Sequence, residues 1–149
     1  MIHKATIEDL DNVDFHTLLS FFYIEAKQVG EYIPAIAKET WTRILSNKQG
    51  VIFLKWDNTK IVGAFGALLH PDPYDGKLVA QEMFWFVLPS ARGSINAVRL
   101  FEAFEKWAKE QKVVRLTVGC LCNQSMATVR KFYEKRNFKP IEVGYIKVL

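Results

Sequence analysis

Apolar residues recur along this chain in two rhythms, and each switch between them marks an element. Ile2 to Ala5 forms a short strand candidate, and Thr6 stands three residues before Asp9 in the manner of a capping box. Phe15, Leu18, Leu19 and Phe22 then fall at helical spacing. After a break at Gly30, Pro34 suits the first turn of a second helix, where its missing N–H costs nothing. That helix carries Ile36, Ala37, Thr40, Trp41, Ile44 and Leu45 along one stripe. The rhythm changes at residue 51: segments 51–56 and 60–70, joined by Asp57-Asn58, read as an antiparallel hairpin. A polar loop, 71–77, leads to the run EMFWFVL at 82–88. Its unbroken apolar character predicts a central strand covered on both faces.

The helical rhythm returns at 96–111, with Ala97, Leu100, Phe101, Phe104, Trp107 and Ala108 on one face. A further strand is predicted at 113–122, a last helix at 124–136 with Met126, Val129, Phe132 and Tyr133 on one side, and a closing strand in PIEVGYIKVL. The predicted order is β-α-α-β-β-β-α-β-α-β. Such an order points to an α/β (α+β) fold with a mixed, mostly antiparallel sheet flanked by helices.

With 149 residues, half of them hydrophobic and a quarter charged, the expectation is a single globular domain over 1–149. No run reaches the roughly 18 apolar residues of a membrane span. Acidic residues stand where a signal peptide needs an apolar core, so the expected location is cytoplasmic. A net charge of +4 suits a small polyanionic ligand as well as it suits nucleic acid. Arg130, Lys131, Lys135, Arg136 and Lys139 are basic, but no stacking aromatics interleave with them, and a nucleic-acid partner is not expected. Cys120 and Cys122 share one strand face as buried thiols; with three scattered histidines they make no metal site, and no metal is expected.

One short stretch calls for chemistry. Ser90-Ala91-Arg92-Gly93 lies between a buried strand and the start of a helix. A helix start offers unpaired N–H groups and partial positive charge. Gly93 lets a ligand approach the backbone, and Arg92 adds a charge with fork geometry suited to phosphate oxygens. Together they would cradle a pyrophosphate; the alternative is an ordinary β–α turn with a solvated arginine.

The run VLPSARGSINAVRL resembles the acyl-CoA-binding motif of the GNAT superfamily of N-acetyltransferases. Val87 and Pro89 match its strand end, Arg92 its first position, Gly93 the glycine that often follows, and Ala97 its last position. Ile95 stands where the pattern has glycine, so its side chain must turn away from the cofactor. CLCNQSMATVRKFYEKRNFKPIE resembles the family's Asn…Tyr-Glu-Lys-x-Gly-Phe segment, with Asn123 opening the helix, Tyr133 on its apolar stripe and Asn137-Phe138 standing for Gly-Phe. Asn137 is expected in the left-handed conformation that ends a helix.

The resemblance implies an acetyl-CoA-dependent N-acetyltransferase acting on a primary amine by direct transfer. It implies cofactor contacts from Val87, Leu88, Arg92, Gly93, Ser94, Ile95, Asn96, Ala97 and Asn123, with the N–H of Val87 or Leu88 polarising the thioester carbonyl. Glu82 matches the position of the family's general base, and burial among aromatics should raise its pKa. Tyr133 matches the tyrosine that protonates the leaving sulfur. The acceptor amine is expected against the N-terminal helices and the 71–77 loop, where Glu25, Tyr32 and Tyr74 could hold a cation. A homodimer through the C-terminal strand or the N-terminal helices is compatible with the sequence. The other reading is a non-catalytic acyl-CoA-binding or protein-binding module on the same fold.

Overall fold

A computed structural model describes residues 1–26 and 30–149. Among these residues five strands form one sheet in the order β1-β2-β3-β4-β5, with β1 Ile2–Lys4, β2 Gly50–Asp57, β3 Lys60–Pro71, β4 Leu78–Val87 and β5 Arg115–Thr117. All neighbours pair antiparallel except β4 and β5, which run parallel. The helices are α1 Val13–Glu25, α2 Pro34–Ser46, α3 Asn96–Glu110 and α4 Met126–Glu134. Among them and the other described residues, no helix is long and apolar enough to cross a membrane.

Both faces of the sheet are covered, which is why β2 and β3 are apolar without alternation. In β2, Ile52 and Leu54 face a core built with Leu10, Phe15 and Leu18, on the side of α1 and α2. Val51 and Phe53 face the other way, into a core with Phe65, Leu100, Phe101 and Phe104 beneath α3. Strand β4 does the same: Phe84 and Phe86 enter the first core and Val87 the second, with Trp85 packed against it.

Several expectations are corrected. Thr6 and Asp9 do bond, the Thr6 N–H donating to Asp9 Oδ2 at 2.8 Å, but they brace a 3-10 turn at Glu8–Asp11. The cap of α1 is Asn12, whose side chain accepts the Asp14 N–H at 2.8 Å. β4 lies next to the sheet edge, and β3 is central. β5 has three residues instead of ten, and α4 begins two residues later than expected, at Met126. Cys120 and Cys122 lie beyond β5; Cys120 is half-buried and Cys122 exposed. The closing strand is not formed, and Ile141, Val143 and Tyr145 are exposed. A period of two says which side chains share a face; a strand also needs an edge to pair with. Asn137 does end the last helix in left-handed conformation, φ 65°, with the Phe138 N–H donating to the Tyr133 carbonyl at 3.1 Å.

One irregularity decides what β4 presents. Ala67 pairs with Glu82 and Gly66 with Phe84, so Met83 is an extra residue, a β-bulge. A strict period of two would turn Glu82 to the same face as Phe84 and Phe86. The bulge reverses it to the face of Trp85, toward α3 and α4. Gly66 makes room beside it, since a Cβ there would come within 2.3 Å of the Phe84 ring. That ring is held edge-on against Trp41, with centroids 5.4 Å apart. Gly66→Ala is therefore expected to cost about 1–3 kcal/mol by overpacking, read as a lower denaturant midpoint.

Candidate functional site

β4 and β5 pair only where Val79, Ala80 and Gln81 meet Arg115, Leu116 and Thr117. Past that point the ladder between them stops, and a cleft of ≈ 1010 Å³ opens in the sheet. It lies at the upper end of the roughly 300–1,000 Å³ usual for ligand sites. One jaw is the second half of β4, with Glu82, Trp85 and Val87; the other is the chain from Val118 to Asn123. Val129 and Tyr133 of α4 line it, as do Phe22 and Glu25 of α1 and the segment 141–144.

Glu82 and Tyr133 meet there through one residue. The Gly119 N–H donates to Glu82 Oε2 at 2.8 Å, and the Tyr133 hydroxyl donates to the Gly119 carbonyl at 2.6 Å. Burial pushes the Glu82 carboxyl up to about 7, against the downward pull of the Gly119 N–H. Burial also drives the Tyr133 phenol far above its ordinary value, with Glu82 and Cys120 adding to the effect. Near neutrality the site thus holds a carboxyl that changes charge and a phenol that keeps its proton. Gly119 was not among the candidates read from sequence. Its signal was a glycine inside the apolar run 113–122, the mark of a close approach or a break in pairing.

The end of β4 supplies a second kind of group. The Leu88 N–H donates to the Val62 carbonyl at 2.9 Å, so Leu88 has spent its donor on β3. Antiparallel alternation turns the polar groups of Val87 the other way, toward the cleft. The Val87 carbonyl indeed accepts from Arg92 Nε at 2.9 Å. Of the two expected donors, Val87 has the orientation for the role and Leu88 does not.

Between β4 and α3 the backbone folds as a bed with open space above it. Gly93 has φ 81°, and a Cβ there would meet nothing within 4 Å. The Ser94 hydroxyl donates to the Ala91 carbonyl at 3.1 Å and accepts the Asn96 N–H at 3.3 Å. Ile95 gives no side-chain cap to α3 and is 55% exposed. Trp85 Nε1 donates to the Ala97 carbonyl at 3.1 Å and fixes the first turn of α3 against β4. An open loop, the start of a 15-residue helix with the Ser94 hydroxyl on one of its N–H groups, and the Arg92 guanidinium at the head of the loop are groups that fit a pyrophosphate. Among the expected cofactor residues, Val87, Arg92, Ala97 and Asn123 line the cleft; Leu88, Gly93, Ser94, Ile95 and Asn96 lie outside that lining.

The acceptor candidates separate. Glu25 lines the cleft. Tyr32 does not: its hydroxyl lies 2.8 Å from His16 Nδ1, while His16 Nε2 lies 2.7 Å from the Leu10 carbonyl. A carbonyl only accepts, so Nε2 carries the proton and the Tyr32 hydroxyl donates to Nδ1. Burial raises that phenol to about 12. Tyr74 is 96% exposed on the β3–β4 loop, outside the cleft. That loop is tied to β5 by Arg115, 2.7 Å from Asp72 and 3.5 Å from Asp75.

Residues 12–138 match the sequence profile of the family described as Acetyltransferase (GNAT) family. The fold is shared by a predicted acetyltransferase with acetyl-CoA from Clostridium acetobutylicum, at TM-score 0.79 and 15% identity over 100% of this chain and 95% of that one. A ribosomal-protein-alanine N-acetyltransferase from Brucella melitensis biovar Abortus 2308 gives TM-score 0.74 and 17% identity over 100% and 98% of the two chains. A probable acetyltransferase gives 0.75 and 21% over 100% and 96%. The sequence finds no match among curated proteins.

Proposed function

The chain belongs to the GNAT acetyltransferase family, and on that footing we propose that it moves an acetyl group from acetyl-CoA to a primary amine by direct transfer, with both substrates in the cleft together. The observation that carries this reading is the link through Gly119, which joins Glu82 and Tyr133 inside the cleft where β4 and β5 part.

Each residue has a task matched to its chemistry. Amines enter as ammonium ions, and Glu82, with a pKa near 7, takes the proton that blocks the nitrogen lone pair. The Val87 N–H hydrogen-bonds the thioester oxygen, where negative charge grows as the new C–N bond forms. Tyr133, protonated at neutral pH, gives its proton to sulfur as the C–S bond breaks, and the second proton that the nitrogen loses in becoming an amide restores the phenol. Trp85 and Val87 supply an apolar wall that keeps water from competing with the amine. Arg92, the 93–97 loop and the start of α3 hold the pyrophosphate. Acetyl-CoA itself supplies the activated acyl group.

Release of free thiol from acetyl-CoA across a panel of primary amines tests the reading. Tyr133→Phe is expected to lower kcat about 10²-fold with little change in the amine KM, since the phenol acts only as the bond to sulfur breaks. Unchanged kcat would remove Tyr133 from the mechanism. Acetyl-CoA binding with no turnover on any amine would favour the non-catalytic module.

A further inference from the structure

Arg92 is not waiting free for a ligand. Its Nη2 donates to Glu25 Oε2 at 2.8 Å, its Nε donates to the Val87 carbonyl at 2.9 Å, and its guanidinium lies 5.0 Å from the centre of the Phe86 ring. The other carboxylate oxygen of Glu25 lies 3.5 Å from Asn123 Nδ2. Glu25 is the last residue of α1, whereas Arg92 follows β4 and Asn123 follows β5. One carboxylate thus reaches both jaws of the cleft, at two of the residues that line it for the cofactor.

The chemistry of this bridge is that of a substitute ligand. A guanidinium edge that faces a carboxylate would face phosphate oxygens in the same way, through charge-assisted N–H bonds. The two anions cannot occupy that edge together without like-charge repulsion. Val87 and Phe86 hold the guanidinium from sides that Glu25 does not touch. Releasing Glu25 therefore leaves Arg92 aimed and unoccupied. Neither partner is deeply buried, with side-chain exposures of 38% for Arg92 and 29% for Glu25, so the pair can be opened by a competing anion.

We propose that Glu25 is an internal anion that occupies Arg92 and Asn123 in the free protein and competes with the pyrophosphate of the incoming cofactor. This rests on the reading that the cleft takes acetyl-CoA. Glu25 then opposes cofactor binding: it sets an upper limit on affinity, and its carboxylate is released into the cleft when the cofactor enters.

Calorimetric titration with free CoA tests this on wild type, Glu25→Gln, Arg92→Gln and the double variant. Glu25→Gln keeps the side-chain shape and removes a carboxylate from the C-terminal end of a helix, where negative charge is unfavourable, so the fold is retained. It is expected to bind CoA about fivefold more tightly, the scale of one partly exposed ion pair. Arg92→Gln is expected to bind more weakly, and adding Glu25→Gln to it should give no gain. Equal or weaker binding by Glu25→Gln would overturn the competition, as would the same gain without Arg92. If wild type binds CoA and only these comparisons fail, the cofactor site stands and the competition falls. If neither wild type nor Glu25→Gln binds CoA, both readings fall.

Discussion

Glu82→Gln is expected to reduce kcat/KM for acetyl transfer by about 10³-fold, the middle of the range for loss of a general base. The amide still accepts the Gly119 N–H, so the geometry of the cleft is kept while the proton acceptor is lost. The wild-type rate should rise with pH and level off above a midpoint near 7, because Glu82 serves as a base only when ionised. In the variant that midpoint should vanish. The same residue makes a prediction about stability with a definite sign. The folded-state pKa is raised, so between the ordinary glutamate value of 4.5 and about 7 the unfolded chain is ionised while the native protein keeps its proton. Stability is therefore lost as pH rises through that window. Thermal melts should find Glu82→Gln more stable than wild type above neutrality, with the gap closing in mild acid. A flat pH–rate profile together with a pH-independent gap would contradict the role given to Glu82.

Phe101→Ala is expected to destabilise the protein by about 3–5 kcal/mol, the usual cost of removing a fully buried aromatic ring. Phe101 has no exposed surface. Its ring meets Phe65 at 6.0 Å, Trp85 at 5.2 Å, Phe132 at 5.0 Å and Tyr133 at 5.8 Å between centroids. This one side chain of α3 joins β3, β4 and α4, so the cavity it leaves cannot be closed by moving any single element. Because Trp85 and Tyr133 both line the cleft, activity should fall even where the variant remains folded. Urea unfolding followed by tryptophan fluorescence checks the first part, and turnover well below the melting temperature checks the second. A loss under 1 kcal/mol would mean that these rings are not tightly packed.

The periodic elements were readable from sequence because their causes are local. The stripe Leu100, Phe101, Phe104, Trp107 and Ala108 fixes both the existence and the buried face of α3. The apolar runs of β2, β3 and β4 follow from a sheet covered on both sides. What stayed hidden depends on pairing between distant segments. Nothing in EMFWFVL says that Met83 is skipped by the ladder, yet that skip turns Glu82 into the cleft. The divergence of β4 and β5 shortens a predicted ten-residue strand to three and brings Gly119 to Glu82. The alternating apolar residues at 141–149 pair with no neighbouring strand and form none themselves. The sequence neighbours of Arg92 mark it as a phosphate ligand, whereas its partner in the free protein, Glu25, comes from the end of α1 and is far from it in sequence.

The most direct test of the cleft as the cofactor site is backbone hydrogen exchange with and without acetyl-CoA, resolved by peptide. Slower exchange is expected at 85–88, 92–97 and 118–123, with the β1–β2 pair unchanged. No change anywhere at saturating acetyl-CoA, or protection confined to β1 and β2, would contradict the account.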